Sequence, residues 1–112
     1  MGTWPGFVIT RGDQGIVVEG ELDMATAPLL EADLAEVNGP VRLDLAGLTF
    51  LDSTGASALV RLYHRCQADG CTLHLARCSR PVERVLRILG LYDLLTADDR
   101  PGETPAQSDD GI

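Results

Sequence analysis

A chain of 112 residues fits one domain large enough to bury a core, and 45% hydrophobic against 23% charged residues is the balance of a globular protein. A net charge of −8, with all nine basic residues arginine, argues against a nucleic-acid binder, and 4% aromatic residues leave little for a base-stacking platform. Met1-Gly2-Thr3-Trp4-Pro5-Gly6 lacks the basic start and apolar core of an export signal, Gly6 breaks the myristoylation pattern, and no apolar run approaches the ~20 residues of a membrane span. The expectation is a soluble, cytoplasmic protein with no membrane or direct nucleic-acid partner. Cys66, Cys71 and Cys78, odd in number and without a framework spacing, fit a reducing compartment.

Phe7-Val8-Ile9-Thr10 reads as a short strand, turned through Gly12-Asp13-Gln14-Gly15 into Ile16-Val17-Val18-Glu19 as a hairpin. Gly20-Glu21-Leu22-Asp23 then leaves the sheet. Thr26, with Pro28 close behind, starts a helix whose Ala27, Leu30, Leu34 and Val37 share one face, and Asn38-Gly39-Pro40 ends it. Val41-Arg42-Leu43-Asp44-Leu45 alternates strictly, as does Cys71 to Ala76, with Leu73 and Leu75 inward and Thr72 and His74 outward. Two strands with one polar face each imply a sheet covered by helices mainly on one side.

Between them lies Leu48-Thr49-Phe50-Leu51-Asp52-Ser53-Thr54-Gly55, where an apolar stretch stops at three small polar residues and a helical pattern begins. Asp52 and Ser53 both favour a helix N-cap, which places Ser53 at the positive end of a helix dipole, hospitable to an anion. Leu59, Leu62, Tyr63 and Cys66 form the apolar face of this helix, with Arg61, Arg65 and Gln67 toward water. Ala56, Ser57 and Ala58 keep its first turn small enough for another surface to approach. Ser79-Arg80-Pro81-Val82-Glu83 starts a further helix, with Val82, Leu86 and Leu89 on one face up to Gly90, and Leu91 to Thr96 reads as a short last strand. From residue 97 the chain turns acidic: Asp98, Asp99, Glu103, Asp109 and Asp110 stand against Arg100 alone, a composition that predicts a disordered tail over 97–112 behind a domain over 1–96.

These residues carry a resemblance. Gly20-Glu21-Leu22-Asp23, Thr26-Ala27, Val41 to Gly55 ending in Asp52-Ser53-Thr54-Gly55, and Ser79-Arg80-Pro81-Val82 to Gly90-Leu91 together resemble the STAS domain of bacterial anti-sigma factor antagonists, over about residues 15 to 95. The resemblance implies an α/β single domain with a mixed four- to five-stranded sheet and helices mainly on one face. It also implies phosphorylation of Ser53, the first hydroxyl of the motif, by a serine kinase that is itself the anti-sigma factor, with a serine phosphatase opposing it. The unphosphorylated chain then binds the anti-sigma factor through Asp23, Thr26, Asp52, Ser53, Thr54, Gly55 and Ser57 and frees a sigma factor. The chain departs from the commonest family pattern in its acidic end, where a last helix is usual.

Other chemistries fare less well. A serine hydrolase at Ser53 lacks the Gly-x-Ser-x-Gly elbow, and His64 lies about three turns along the same helix, roughly 16 Å away. Zinc bound by His64, Cys66, Cys71, His74 and Cys78 needs convergent ligands, yet Cys71 and His74 point to opposite faces of their strand. A chain without lysine has no phosphate-binding loop of the Gly-x-x-x-x-Gly-Lys-Ser/Thr kind. The reading is therefore a non-enzymatic regulator without cofactor or metal. The alternative is a small STAS subunit of an ABC-type transport complex, docked on its ATPase and not phosphorylated.

Overall fold

The computed structural model describes residues 3–4, 6–13 and 15–97. The elements run β1 (Thr3–Trp4), β2 (Phe7–Gly12), β3 (Gly15–Leu22), α1 (Ala27–Leu34), β4 (Val41–Leu51), α2 (Ser53–Ala68), β5 (Leu73–Cys78), α3 (Arg80–Ile88) and α4 (Tyr92–Thr96). One mixed five-stranded sheet takes the strands in chain order. β1, β2 and β3 pair antiparallel, whereas β3–β4 and β4–β5 are parallel and are each bridged by a helix. The α/β architecture is the expected one. The acidic segment expected to be disordered lies, beyond Ala97, outside the described residues.

The alternation in β4 decides which face is covered. Val41, Leu43 and Leu45 are buried, while Arg42 is exposed and Asp44 half-buried. The buried positions join Leu30 and Leu34 of α1, Leu59 and Leu62 of α2, and Val82 and Leu86 of α3 in a single core. On the other face Arg77 donates to Asp44 at 2.7 Å and holds its carboxyl below the usual range.

One stretch expected to leave the sheet belongs to it, and the strand read over Val41 to Leu45 runs on. β4 continues from Leu45 to Leu51, and β3 continues through Gly20 to Leu22. The reason is a pair of bulges: the β3–β4 register shifts between Val17 and Glu19, and again between Gly20 and Glu21. Each extra residue on β4 flips the side-chain phase, so burial passes from Leu45 to Leu48 and then to Leu51. Gly20 makes its turn at φ +110°, with the Gly6 carbonyl where a Cβ would stand.

Other boundaries moved as well. α1 stops at Leu34, short of Asn38-Gly39-Pro40: the Val37 amide closes a turn on the Leu34 carbonyl at 3.1 Å, and side chains from other elements also bond its last carbonyls. Arg11 donates to the Asp33 carbonyl at 2.6 Å and Arg65, expected to face water, donates to that of Leu34 at 2.8 Å. β5 runs over Leu73–Cys78, two residues later than the expected Cys71–Ala76. Cys71 instead closes the end of α2, its amide donating to the Cys66 carbonyl at 2.8 Å. Leu89, expected on the buried face of α3, is 46% exposed. The last element, read as a strand, is helix α4, whose Leu95 enters the core while Leu94 stays 40% exposed. A short apolar run with one buried residue per turn carries too little periodicity to separate the two forms.

That packing is open to test. Leu95→Ala is expected to cost about 2–5 kcal/mol, read as a lowered urea midpoint at constant slope, and Leu94→Ala less than about 1 kcal/mol. A strand at 91–96 would not separate these neighbours in this way.

Candidate functional site

The site is built where β3 and β4 end side by side. Leu22 pairs with Leu51 at the carboxyl ends of these parallel strands, so the residues that follow, Asp23 and Asp52, open two adjoining loops. The Asp52 amide donates to the Leu22 carbonyl at 3.4 Å and ties the loops together. Carboxyl ends of parallel strands are the common place for ligand contacts in α/β sheets.

Each loop is locked by its own aspartate. Asp52 is the N-cap of α2: its backbone is extended, its Oδ1 accepts from the Gly55 amide at 2.9 Å, and its carbonyl accepts the first helical bond from Ala56 at 2.9 Å. Of the two capping candidates, Asp52 takes the role, which leaves the Ser53 side chain exposed on the first residue of the helix. Asp23 folds the other loop, its Oδ1 accepting from the amides of Ala25 at 3.0 Å and Thr26 at 3.1 Å. The Thr26 hydroxyl accepts from the Asp23 amide at 2.9 Å and donates to the Glu21 carbonyl at 2.7 Å.

Gly55 is what lets the loops meet. A Cβ there would stand 2.5 Å from the Leu22 carbonyl oxygen and 2.7 Å from Cδ1 of Leu51, so the first turn of α2 seats directly on the end of β3. The motif glycine is thus a packing requirement in ordinary helical backbone.

The structure divides the expected site residues into two sets. Asp52, Ser53, Thr54 and Ser57 lie on the outer side of the first turn of α2, Ser53 and Ser57 exposed and Asp52 and Thr54 half-buried, with half-buried Asp23 in the adjoining loop. Thr26, 5% exposed, and Gly55, also buried, shape that surface from beneath. Met24, 73% exposed, and Phe50, 45% exposed, were not among the expected residues. Their signal was present in the sequence: each is a large apolar residue within two positions of a loop aspartate.

Among the described residues no group of His, Cys, Asp and Glu could hold a metal ion. Burial pushes the Cys66 and Cys78 thiols up to about 11, so both are protonated at neutral pH. His74 is occupied on the open side of β5, with Nδ1 at 3.2 Å from the Ala97 carbonyl oxygen.

The seating of the turn predicts a hierarchy of variants. Gly55→Ala should cost about 1–3 kcal/mol, since a backbone carbonyl cannot swing aside, and should shift the amide signals of Leu22 and Asp23. Asp52→Ala should cost about 1 kcal/mol through loss of the cap, and Asp52→Asn less. Urea titrations with amide spectra read all three.

Comparison with known proteins follows the same geometry. The family model described as STAS domain matches residues 8–104. The anti-sigma-B factor antagonist of Bacillus subtilis is 30% identical over 88 residues, covering 76% of this chain and 81% of its own length. Solute carrier family 26 member 10 of Mus musculus is 34% identical over 97 residues, covering 84% of this chain, and the chain spans only 14% of that protein. Among solved structures, the anti-sigma factor antagonist SpoIIAA in its unphosphorylated form superposes with a TM-score of 0.66 at 19% identity, covering 85% of this chain and 89% of its own, a likeness of fold. No helix among the described residues is long and apolar enough to cross a membrane. The family model and the antagonist relative together show that the chain belongs to the STAS-domain family of bacterial anti-sigma factor antagonists.

Proposed function

We propose that the protein is an anti-sigma factor antagonist switched at Ser53: unphosphorylated, it binds an anti-sigma factor that is also its serine kinase and frees a sigma factor, and phosphorylation ends that binding. The observation that carries this reading is an exposed hydroxyl at the first position of α2, on a turn fixed from below by Asp52, Gly55 and the Leu22 carbonyl. The similarity to a curated antagonist of nearly the same length supports it.

The physics of the switch follows from the turn. Asp52 takes the Gly55 amide, and the amides of Ser53 and Thr54 at the helix start lack intrahelical partners. A phosphoryl group on Ser53 brings about −1.5 to −2 charge and three acceptor oxygens to the positive end of α2, so the domain keeps its fold. A partner pressed on the same surface meets that anion together with Asp52 and, from the adjoining loop, Asp23. Desolvating like charges in a contact costs several kcal/mol, enough to abolish a micromolar complex. Met24 and Phe50 supply apolar contacts to the unmodified interface. The chain acts here as a substrate and a ligand, with no catalytic residue, and a phosphatase reverses the modification.

A second reading is the same fold docked, unphosphorylated, in a membrane transport complex of the ABC type; the similarity to solute carrier family 26 member 10 supports only a link of this kind of domain to transport proteins, and the chain spans 14% of that protein. The two separate by labelling. With the cognate anti-sigma kinase and ATP, the intact chain should gain one phosphate on Ser53, Ser53→Ala none, and Thr54→Ala one. Mass spectrometry that finds the phosphate on Thr54, or none on the intact chain, contradicts the proposal. Co-purification with a transport ATPase and no kinase would favour the second reading.

A further inference from the structure

Charge is shared out unevenly over this acidic chain. Arg11 pairs with Asp33, Arg61 with Glu31, Arg77 with Asp44 and Arg87 with Glu83, Arg65 donates to the Leu34 carbonyl, and Arg42 lies in the field of Asp44. The side chains of Arg80 and Arg84 make no hydrogen bond or ion pair with any described residue. They stand four residues apart on α3, on one side of the helix, and both rim the same groove. Phe50 and Leu51 of β4 and Pro81 and Val85 of α3 complete it, enclosing about 390 Å³. The rim continues along α3 to Ile88, which is 76% exposed. Unpaired guanidinium groups over an open apolar floor suit a carboxylate-rich peptide with a few small apolar side chains.

The sequence holds such a peptide. Residues 98–112 carry Asp98, Asp99, Glu103, Asp109 and Asp110 against Arg100, with Pro101, Pro105, Ala106 and Ile112 among them. They follow α4, which packs beside α3: the Leu91 amide donates to the Leu86 carbonyl at 2.8 Å, and the Arg87 guanidinium lies 4.1 Å over the Tyr92 ring. Fifteen residues span about 50 Å at full extension, more than the 43 Å longest extent of the molecule, whose radius of gyration is 13.7 Å. Tethering at this range gives the segment a local concentration on the order of millimolar, which makes weak ion pairs sufficient.

We propose that the groove between the end of β4 and α3 is an acidic-peptide site whose occupant is the chain's own segment 98–112, held by Arg80 and Arg84. Docked there, the segment covers Phe50 and sets negative charge beside the strand that leads into Asp52 and Ser53. It acts as an internal, salt-sensitive competitor for any acidic partner of that face. The docking does not depend on Ser53 being phosphorylated or on the identity of the partner.

The test compares amide spectra of the full ¹⁵N-labelled chain with those of the variant Asp98→Asn, Asp99→Asn, Glu103→Gln, Asp109→Asn, Asp110→Asn at low salt. Shift differences should gather on Phe50, Leu51 and residues 80–88. They should vanish at about 0.5 M salt, where screening shortens to a few Å. In an Arg80→Glu, Arg84→Glu background, neutralising the tail should leave those groove signals unmoved. Because the tail variant leaves the core intact, a folding defect in the arginine variant does not cloud the first comparison. Differences confined to the neighbourhood of residue 98, or gathered on another face, overturn the proposal. Groove shifts that grow with protein concentration would assign the site to a second copy, and shifts seen only on adding an anti-sigma factor would assign it to that partner. Either outcome also overturns it.

Discussion

The Leu22 carbonyl is the point on which the two halves of the site turn. It accepts from the Asp52 amide and lies where any side chain at position 55 would have to go. Remove that meeting and the Asp23 loop and the start of α2 become separate surface features. With it they form one platform, anchored by two adjacent parallel strands whose last residues, Leu22 and Leu51, are buried in the core. Precision at an exposed serine therefore comes from the sheet, whose strand ends are buried, and is transmitted through one hydrogen bond and one missing methyl group.

A site built this way separates presentation from stability. Asp52 and Asp23 spend their carboxylates on backbone amides, and Thr26 bridges the Asp23 amide and the Glu21 carbonyl, so the polar groups that fix the loops are already satisfied. Ser53 and Ser57 stand outside that network and are exposed. Adding charge to Ser53 changes what the surface offers without removing a bond the fold needs. The basic rim of α3, in a chain of net charge −8, gives the same face a second electrostatic character a short way along it.

Local rules made much of this legible. The alternation of Val41-Leu43-Leu45, the helical spacing of Leu59, Leu62 and Cys66, and the caps at Asp52 and Ser79 report short-range physics, and the structure places them as read. Apart from the short helix α4, whose run is too brief to show a period, the departures originate in long-range contacts. β3 and β4 carry bulges that reset the inside-outside phase, so Gly20 to Leu22 look like departing chain, and the continuity of β4 from Leu45 to Leu51 is hidden, until their registers are known. The end of α1 is held by Arg11 and Arg65, distant in sequence, which donate to its last carbonyls. Asp52, Ser53 and Gly55 could be picked out as a motif, but the reason for Gly55 could not. Its neighbour, the Leu22 carbonyl, is thirty-three positions away in the chain. Met24 and Phe50 are legible only in part: each stands within two positions of a loop aspartate, but an exposed apolar residue acquires meaning only beside a surface that something else approaches.

The central claim is that one phosphoryl group on Ser53 closes an interface while leaving its scaffold in place. Calorimetric titration of the anti-sigma factor with the unmodified chain and with the enzymatically phosphorylated chain, both checked for unchanged urea midpoints, measures it directly. The account predicts affinity lower by at least about a hundredfold, some 2.7 kcal/mol, in the phosphorylated form with stability shifted by less than about 1 kcal/mol. Equal affinities for the two folded forms, or loss of binding only because the phosphorylated chain unfolds, would contradict it.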